Sequence, residues 1–131
     1  INLGDDEALF KMKESIDEGA FIGMLGDRVT EGVKQVDCKL LNDEIVMPAG
    51  PVTLASILKV PVIMFFGIYR GGNRYSIYIE KLTDSVSAPR NERNKVVQQY
   101  MQQYTDSIET MIKRYPYNWF NFYDYWSDES D

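Results

Sequence analysis

Residues 62–80 read VIMFFGIYRGGNRYSIYIE, and this stretch decides the fold more clearly than any other part of the chain. The run from Val62 to Tyr69 is almost continuously apolar and is the strongest strand signal in the chain. Tyr75 to Glu80 alternates apolar and polar side chains, as a strand with one exposed face does. Because Gly71 and Gly72 supply a turn between the two runs, we predict an antiparallel hairpin.

Helical patterns lie on both sides of this hairpin. Between Asn91 and Tyr115 an apolar stripe with steps of three and four predicts one long helix, which ends at Pro116. We interpret the stripe as core contact. A short apolar helix is predicted from Val52 to Leu58, and an amphipathic helix over about 6–18.

Two further strands are predicted between these helices. Phe21 to Leu25 is a short continuous apolar run, which indicates a strand buried on both faces, and 36–40 alternates as a half-exposed strand does. The order of elements predicts an α/β fold with a mixed, mostly parallel sheet, an antiparallel edge hairpin, flanking helices and a long C-terminal helix. The 131 residues suffice for a single domain or part of one.

The composition excludes several functions. A net charge of −6 argues against a nucleic-acid partner, because phosphate contacts need a dense basic face. The chain has one cysteine, Cys38, so no internal disulfide is possible, and a single thiol suits a reducing compartment. We interpret Cys38 as a small apolar side chain that fills space in a strand. The chain has no histidine, which removes imidazole-based acid–base chemistry and the commonest transition-metal ligand. No carboxylate spacing specifies a metal site, and we expect no cofactor.

Three places are candidates for ligand contact. Asp27 and Arg28 follow Gly26 at the carboxyl end of a predicted strand, where ligands gather in open α/β sheets. Gly50 precedes a helix start, which attracts anions, and Arg70 lies beside the predicted hairpin turn with Arg74. Spacing alone favours simpler interpretations: an exposed ion pair, an ordinary strand-to-helix turn, and solvated charges.

Taken in order, these segments resemble the C-terminal half to two-thirds of the lipid A biosynthesis (lauroyl/myristoyl) acyltransferase family, within the lysophospholipid acyltransferase superfamily. The similarity runs from about Asp6 to Trp126. Its motifs are GAFIGMLGDR at 19–28, MPAGPVTLA at 47–55, KVPVI at 59–63, and Tyr115-Pro116 with Trp119-Phe120 in the closing segment. No single motif identifies the family; the order and spacing of the motifs together do.

The resemblance implies transfer of a fatty acyl group from acyl-ACP or acyl-CoA to a lipid or glycolipid hydroxyl. In the superfamily a histidine, with a carboxylate four or five residues later, deprotonates that hydroxyl. This chain lacks histidine, so we expect no catalytic residue in it, a missing N-terminal half and no activity alone. The resemblance implies that Asp27 and Arg28 line the cleft, that Gly50 lies near the thioester or phosphate, and that Arg70 is a cleft-edge cation.

The cellular location of the protein is a further expectation, and two segments of the chain differ from the family pattern. The protein is expected in the cytoplasm, with the inner face of the bacterial inner membrane as a candidate place; peripheral membrane contact and dimerisation stay open. Residues 31–43 replace a loop that often contains Phe-Phe-Gly. The aromatic tail ends in acidic residues where the lipid A enzymes usually end in basic ones, which suggests a different acceptor. We expect this tail to pack back across the domain.

Two other functions stay open. The first is a non-enzymatic α/β binding module that docks a partner protein through the hairpin and the aromatic tail. The second is a self-sufficient enzyme in which Asp27 works with a lysine or tyrosine as base.

Overall fold

The computed structural model describes residues 6–29, 32–122 and 124–126, which form a mixed α/β fold. The elements follow one another as α1 (Asp6–Asp17), β1 (Gln35–Leu40), β2 (Asp43–Pro48), α2 (Gly50–Leu58), β3 (Val62–Tyr69), β4 (Tyr75–Thr83) and α3 (Arg93–Arg114), then a 3₁₀ turn (Pro116–Asn118). The three predicted helices and the predicted hairpin are confirmed, with boundaries that differ by a few residues.

The β3–β4 hairpin is antiparallel, with Phe65 opposite Ile79 in its register. Gly71 and Gly72 have φ values of 88° and 60°, a backbone conformation that glycine adopts without steric cost. One face of the hairpin points inward, where Met64 is buried. The other face is apolar and open to solvent, since Phe65 is 66% and Ile79 72% exposed.

A second hairpin, which the sequence patterns do not predict, joins β1 to β2. Leu41 and Asn42 connect the strands with φ values of 54° and 73°. Two positive φ values in a two-residue loop match the twist of an antiparallel pair. This turn therefore fixes β1 and β2 as neighbours, and the predicted half-exposed strand at 36–40 is one arm of a hairpin.

The predicted mostly parallel sheet is not what the structure shows. Both sheets of the described residues have two strands and are antiparallel, because a short turn joins each pair. The predicted buried strand from Phe21 to Leu25 is wrong as well: this segment is irregular, and Phe21 is 91% exposed. No strand in the described ranges pairs with it, so its backbone lacks the partner that a strand requires.

The long helix α3 packs against both hairpins and organises the core. The main cluster of buried side chains joins β1, β2 and α2 to α3, with Leu40, Met47 and Met101 almost fully enclosed. Cys38 lies in this cluster, and burial raises the pKa of its thiol, which agrees with its predicted role as an apolar filler. A smaller cluster holds α1 against α2 through the buried side chain of Met12, which packs with Leu54 and Leu58.

Polar side chains of α3 bind the outer edge of β1. Gln102 accepts a hydrogen bond from the Lys39 backbone N–H (2.8 Å) and donates one to the Lys39 carbonyl (3.0 Å). Gln98 donates to the Asp37 carbonyl (3.1 Å). An unpaired strand edge invites pairing with another chain, and here helix side chains occupy it.

Candidate functional site

An apolar cavity of about 350 Å³ lies between the inner face of the β3–β4 hairpin and α3. Met64 and Phe66 line it from the strand, and Ile108 and Met111 from the helix. The volume is within the range of roughly 300–1,000 Å³ that small-molecule sites occupy. The stripe of α3 that sequence analysis assigns to core contact therefore has a second role, because part of it lines this space.

Tyr104 lies against the segment that contains Gly26 and Asp27, and all three line the cavity. A Cβ atom at Gly26 would lie 3.1 Å from Cε1 of Tyr104. Glycine therefore lets the backbone come close to the ring. Phe66 stacks on the Tyr104 ring, with ring centroids 6.2 Å apart. These contacts fix the ring at the cavity wall.

The Tyr104 hydroxyl is a polar group in a mainly apolar space. Burial, and to a smaller extent the charge of Asp27, raise the pKa of Tyr104 to about 12. The hydroxyl is thus protonated at neutral pH, and it makes no hydrogen bond within residues 6–29, 32–122 and 124–126. A protonated phenol can donate to a carbonyl oxygen of a ligand in the cavity.

The aromatic tail closes the cavity on another side. Trp119 and Tyr125 line it and contact each other edge to face, with centroids 5.4 Å apart. The Tyr125 hydroxyl donates to the Asp27 backbone carbonyl over 2.8 Å. The predicted return of the tail across the domain is confirmed for these two rings, whereas Phe122 is 89% exposed.

Arg70 lies at the end of β3, beside the cavity wall that Tyr115 forms. Its Nη2 donates to the hydroxyl groups of Tyr78 (2.9 Å) and Tyr115 (3.1 Å), and its Nε donates to Ser76 Oγ (3.0 Å). Asn118, which also lines the cavity, accepts a hydrogen bond from the Tyr69 backbone N–H over 2.7 Å. The hairpin end is therefore tied to the end of α3.

The structure brings part of the predicted site together. Asp27 lines the cavity directly, and Gly50 is buried next to Pro51, which also lines it. Arg70 reaches the cavity wall through Tyr115. Arg28 is exposed and is not part of the lining.

The sequence patterns predict no ligand role for Tyr104, Tyr115 or Trp119. All three line the cavity, and all three occur at spacings that also suit an ordinary core. The one sequence feature that distinguishes two of them is a phenol hydroxyl within an apolar stripe, at Tyr104 and Tyr115.

Comparison with protein families gives a match over residues 2–127 to the family described as bacterial lipid A biosynthesis acyltransferase. The match covers nearly the whole chain. The chain belongs to this family. The resemblance noted from the sequence motifs is thereby confirmed, and acyl transfer, which uses an acyl donor and a lipid acceptor, is the activity at the level of the family.

Other comparisons of this acyltransferase family member add no relative. Neither a search of curated proteins nor a search of solved structures finds a match to the chain. Within the described ranges, no helix is both long and apolar enough to cross a bilayer. The same ranges hold no group of three or more side chains suited to a metal ion.

Proposed function

We propose that this chain binds a fatty acyl chain in the cavity and forms part of the site that moves it from acyl-ACP or acyl-CoA to a lipid or glycolipid hydroxyl. The observation that supports this most directly is the apolar space between α3 and the β3–β4 hairpin, in a member of an acyltransferase family. An alkyl chain offers no polar group, and a site for it should therefore be lined as this one is.

The polar groups near the cavity suit the reacting end of such a ligand. Tyr104 would donate a hydrogen bond to the acyl carbonyl, since its hydroxyl is protonated and has no partner in the described part of the chain. Asp27 lies beside it at the cavity wall. Tyr104 lies about three helical turns, or roughly 16 Å, before Tyr115 along α3.

The four residues singled out by sequence keep their proposed roles with different support. Asp27 lines the cavity, Gly50 begins the helix whose next residue lines it, and Arg70 binds the hydroxyl of a lining tyrosine. The proposed role of Arg28 is supported only by its position next to Asp27, because the Arg28 side chain is exposed.

The catalytic base is proposed to come from outside these 131 residues. Activation of a hydroxyl near neutral pH needs a base, and in the superfamily that this chain resembles the base is a histidine. The chain contains no histidine, so it supplies binding groups and not the imidazole. We place the reaction on the cytoplasmic side of the membrane, where acyl-ACP and acyl-CoA are found.

Calorimetric titration with dodecanol tests the proposal on the chain itself. In Met111→Trp a larger side chain occupies the cavity, because Met111 lines it. Excluding about 60 Å² of ligand surface costs roughly 1.5 kcal/mol and weakens binding about tenfold. Thr110→Trp is the matched control, since the neighbouring Thr110 is exposed and outside the lining. Equal affinities in both variants would refute an acyl site here.

The alternative is a non-enzymatic binding module. The observation in its favour is the outer face of the β3–β4 hairpin, where Ile63, Phe65, Ile77 and Ile79 are each at least half exposed. A chain that takes up no alkyl ligand, while Phe65→Ser removes binding to a partner protein, would favour this second function.

A further inference from the structure

Two arginines and two tyrosines form a cluster where the β3–β4 hairpin meets the end of α3. Arg70 donates hydrogen bonds to both tyrosine hydroxyls, which also bond to each other. The guanidinium carbon of Arg114 lies 5.5 Å from the ring centre of Tyr78 and 5.3 Å from that of Tyr115. That of Arg70 lies 4.7 Å from the Tyr115 ring centre. Both cations therefore contact the same two tyrosines, Arg114 through both rings and Arg70 through both hydroxyls and the Tyr115 ring.

No carboxylate of the described residues balances these two charges. The four ion pairs in that part of the chain all use lysine. This is unexpected in a chain with net charge −6, where acidic partners are plentiful. Two guanidinium groups held beside one tyrosine repel each other, and an anion bound between them would relieve the repulsion.

The cluster is continuous with the cavity through Tyr115, whose side chain belongs to both. Hydrogen bonds from Tyr78 and Arg70, together with the charges of both arginines, lower the pKa of Tyr115. The local field is thus positive where the cavity wall meets solvent. A ligand with an apolar chain in the cavity would place an attached polar group at this edge.

We propose that Arg70, Arg114, Tyr78 and Tyr115 bind the phosphate of an amphiphile whose alkyl chain occupies the cavity. This inference rests on the proposed acyl site. A phosphate monoester brings close to two negative charges and three acceptor oxygens, which matches two guanidinium groups and two hydroxyls. Arg70 still has guanidinium N–H groups that make no hydrogen bond within the described residues, and arginine suits phosphate through its planar fork of donors.

The test compares two probes on the full chain by calorimetry, dodecyl phosphate and dodecanol. The ratio of the dodecanol Kd to the dodecyl phosphate Kd measures the gain from phosphate. This ratio is expected to fall about tenfold in Arg114→Gln and in Arg70→Gln, because each removes one charge-assisted contact. Arg74→Gln, an exposed residue at the hairpin tip that is not part of the cluster, removes the same charge and should leave the ratio unchanged.

The outcomes separate the two proposals. If Arg70→Gln and Arg114→Gln keep the wild-type ratio, or if Arg74→Gln lowers it as much as they do, the phosphate site is refuted while the cavity proposal stands. If Met111→Trp leaves dodecanol affinity unchanged, the cavity proposal fails. Unchanged dodecanol affinity in Arg70→Gln shows that the loss of Arg70 has not disturbed the fold around the cavity.

Two phosphate sources share this chemistry, a lipid headgroup and the phosphopantetheine arm of an acyl carrier. Titration with 1-dodecanoylglycerol 3-phosphate and with the S-dodecanoyl thioester of pantetheine 4′-phosphate distinguishes them. The source is the ligand whose affinity drops about tenfold in Arg114→Gln. If neither ligand loses affinity in that variant, the proposal is overturned.

Discussion

Gln102 connects α3 to the edge of β1, and its replacement by alanine is a sharp test of how the fold is held together. The side-chain amide bonds both backbone groups of Lys39, at 2.8 and 3.0 Å, and its nitrogen also donates to Asp106 Oδ1 at 2.7 Å. Alanine removes all three contacts and leaves the Lys39 backbone groups to water. Because the site is exposed, water replaces part of what is lost.

The expected loss follows from these contacts. Each backbone bond contributes about 0.5–1.5 kcal/mol net, at the low end where water has access, and the pair with Asp106 adds about 0.2–0.5 kcal/mol. Alanine returns a few tenths of a kcal/mol through its helix propensity. We therefore expect Gln102→Ala to lower the free energy of unfolding by about 1–2 kcal/mol.

Urea unfolding followed by circular dichroism measures this change, with Gln103→Ala as the control. Gln103 is exposed on the same helix, and its replacement by alanine brings the same gain in propensity. The urea midpoint should fall by roughly 0.5–1 M in Gln102→Ala and stay constant or rise in the control. The freed β1 edge should also increase self-association in sedimentation experiments. Agreement of the two variants within about 0.3 kcal/mol would refute the reasoning.

Two further predictions concern the backbone and pH. Lys59 is exposed and ends α2 with φ 56°, so Lys59→Gly should stabilise the protein by about 1 kcal/mol in urea unfolding; an equal gain in Lys59→Ala would show that strain is not the cause. Lys113, and then the Leu41 backbone N–H, lower the pKa of Glu109 through hydrogen bonds. The ionised form of Glu109 therefore stabilises the fold above its unfolded pKa. The destabilisation caused by Glu109→Gln at pH 7 should shrink as pH falls below the unfolded value of about 4 and through the lowered pKa of the folded state. A difference between the two proteins that does not shrink between pH 7 and about pH 2 would contradict this.

Local patterns are strong enough to predict the β3–β4 hairpin and α3. The hairpin combines two strand-forming runs with a glycine pair whose φ values are positive in the structure. Helix α3 has an apolar stripe that recurs along its 22 residues, and Pro116 follows its end. In both cases the local preference and the packing agree, so sequence alone is sufficient.

The β1–β2 hairpin is missed because its turn contradicts local preference. Leu41 has φ 54°, a conformation that costs an L-residue about 1–2 kcal/mol. The turn is held by a distant contact, the 2.8 Å hydrogen bond from the Leu41 N–H to Glu109 Oε2. A bond across 68 positions of sequence leaves no local pattern.

For the segment from Phe21 to Leu25 the error is the opposite one, because a strand is predicted there and the structure has none. Its composition suits a buried strand, but a strand exists only when a neighbour satisfies its backbone groups. Among the described residues no strand lies beside it. Periodicity reports what a segment prefers, and it cannot report which partner the rest of the protein supplies.

For the candidate site, sequence locates the segments and the structure supplies the side chains that matter. Resemblance to the family leads to Asp27, Gly50 and Arg70, which all lie at or next to the cavity. Tyr104 and Tyr115 are identified as site residues only from the structure. An apolar stripe with tyrosines has the same sequence pattern whether the space it faces is filled by core side chains or left open as a cavity. Which of these occurs depends on the volume that the opposing hairpin leaves.

That unfilled volume is itself an argument for a ligand. At about 24 cal/mol per Å³, a closed void of 350 Å³ would cost roughly 8 kcal/mol, and the cost here is lower because the cavity is partly open to solvent. A chain selected for stability alone could reduce this cost with one larger side chain on α3. The Met111→Trp variant should accordingly be at least as stable as the wild type in urea while it binds dodecanol less tightly. Loss of both stability and binding in that variant would mean that the tryptophan disrupts packing, and the inference that the space is kept open for an alkyl chain would fail.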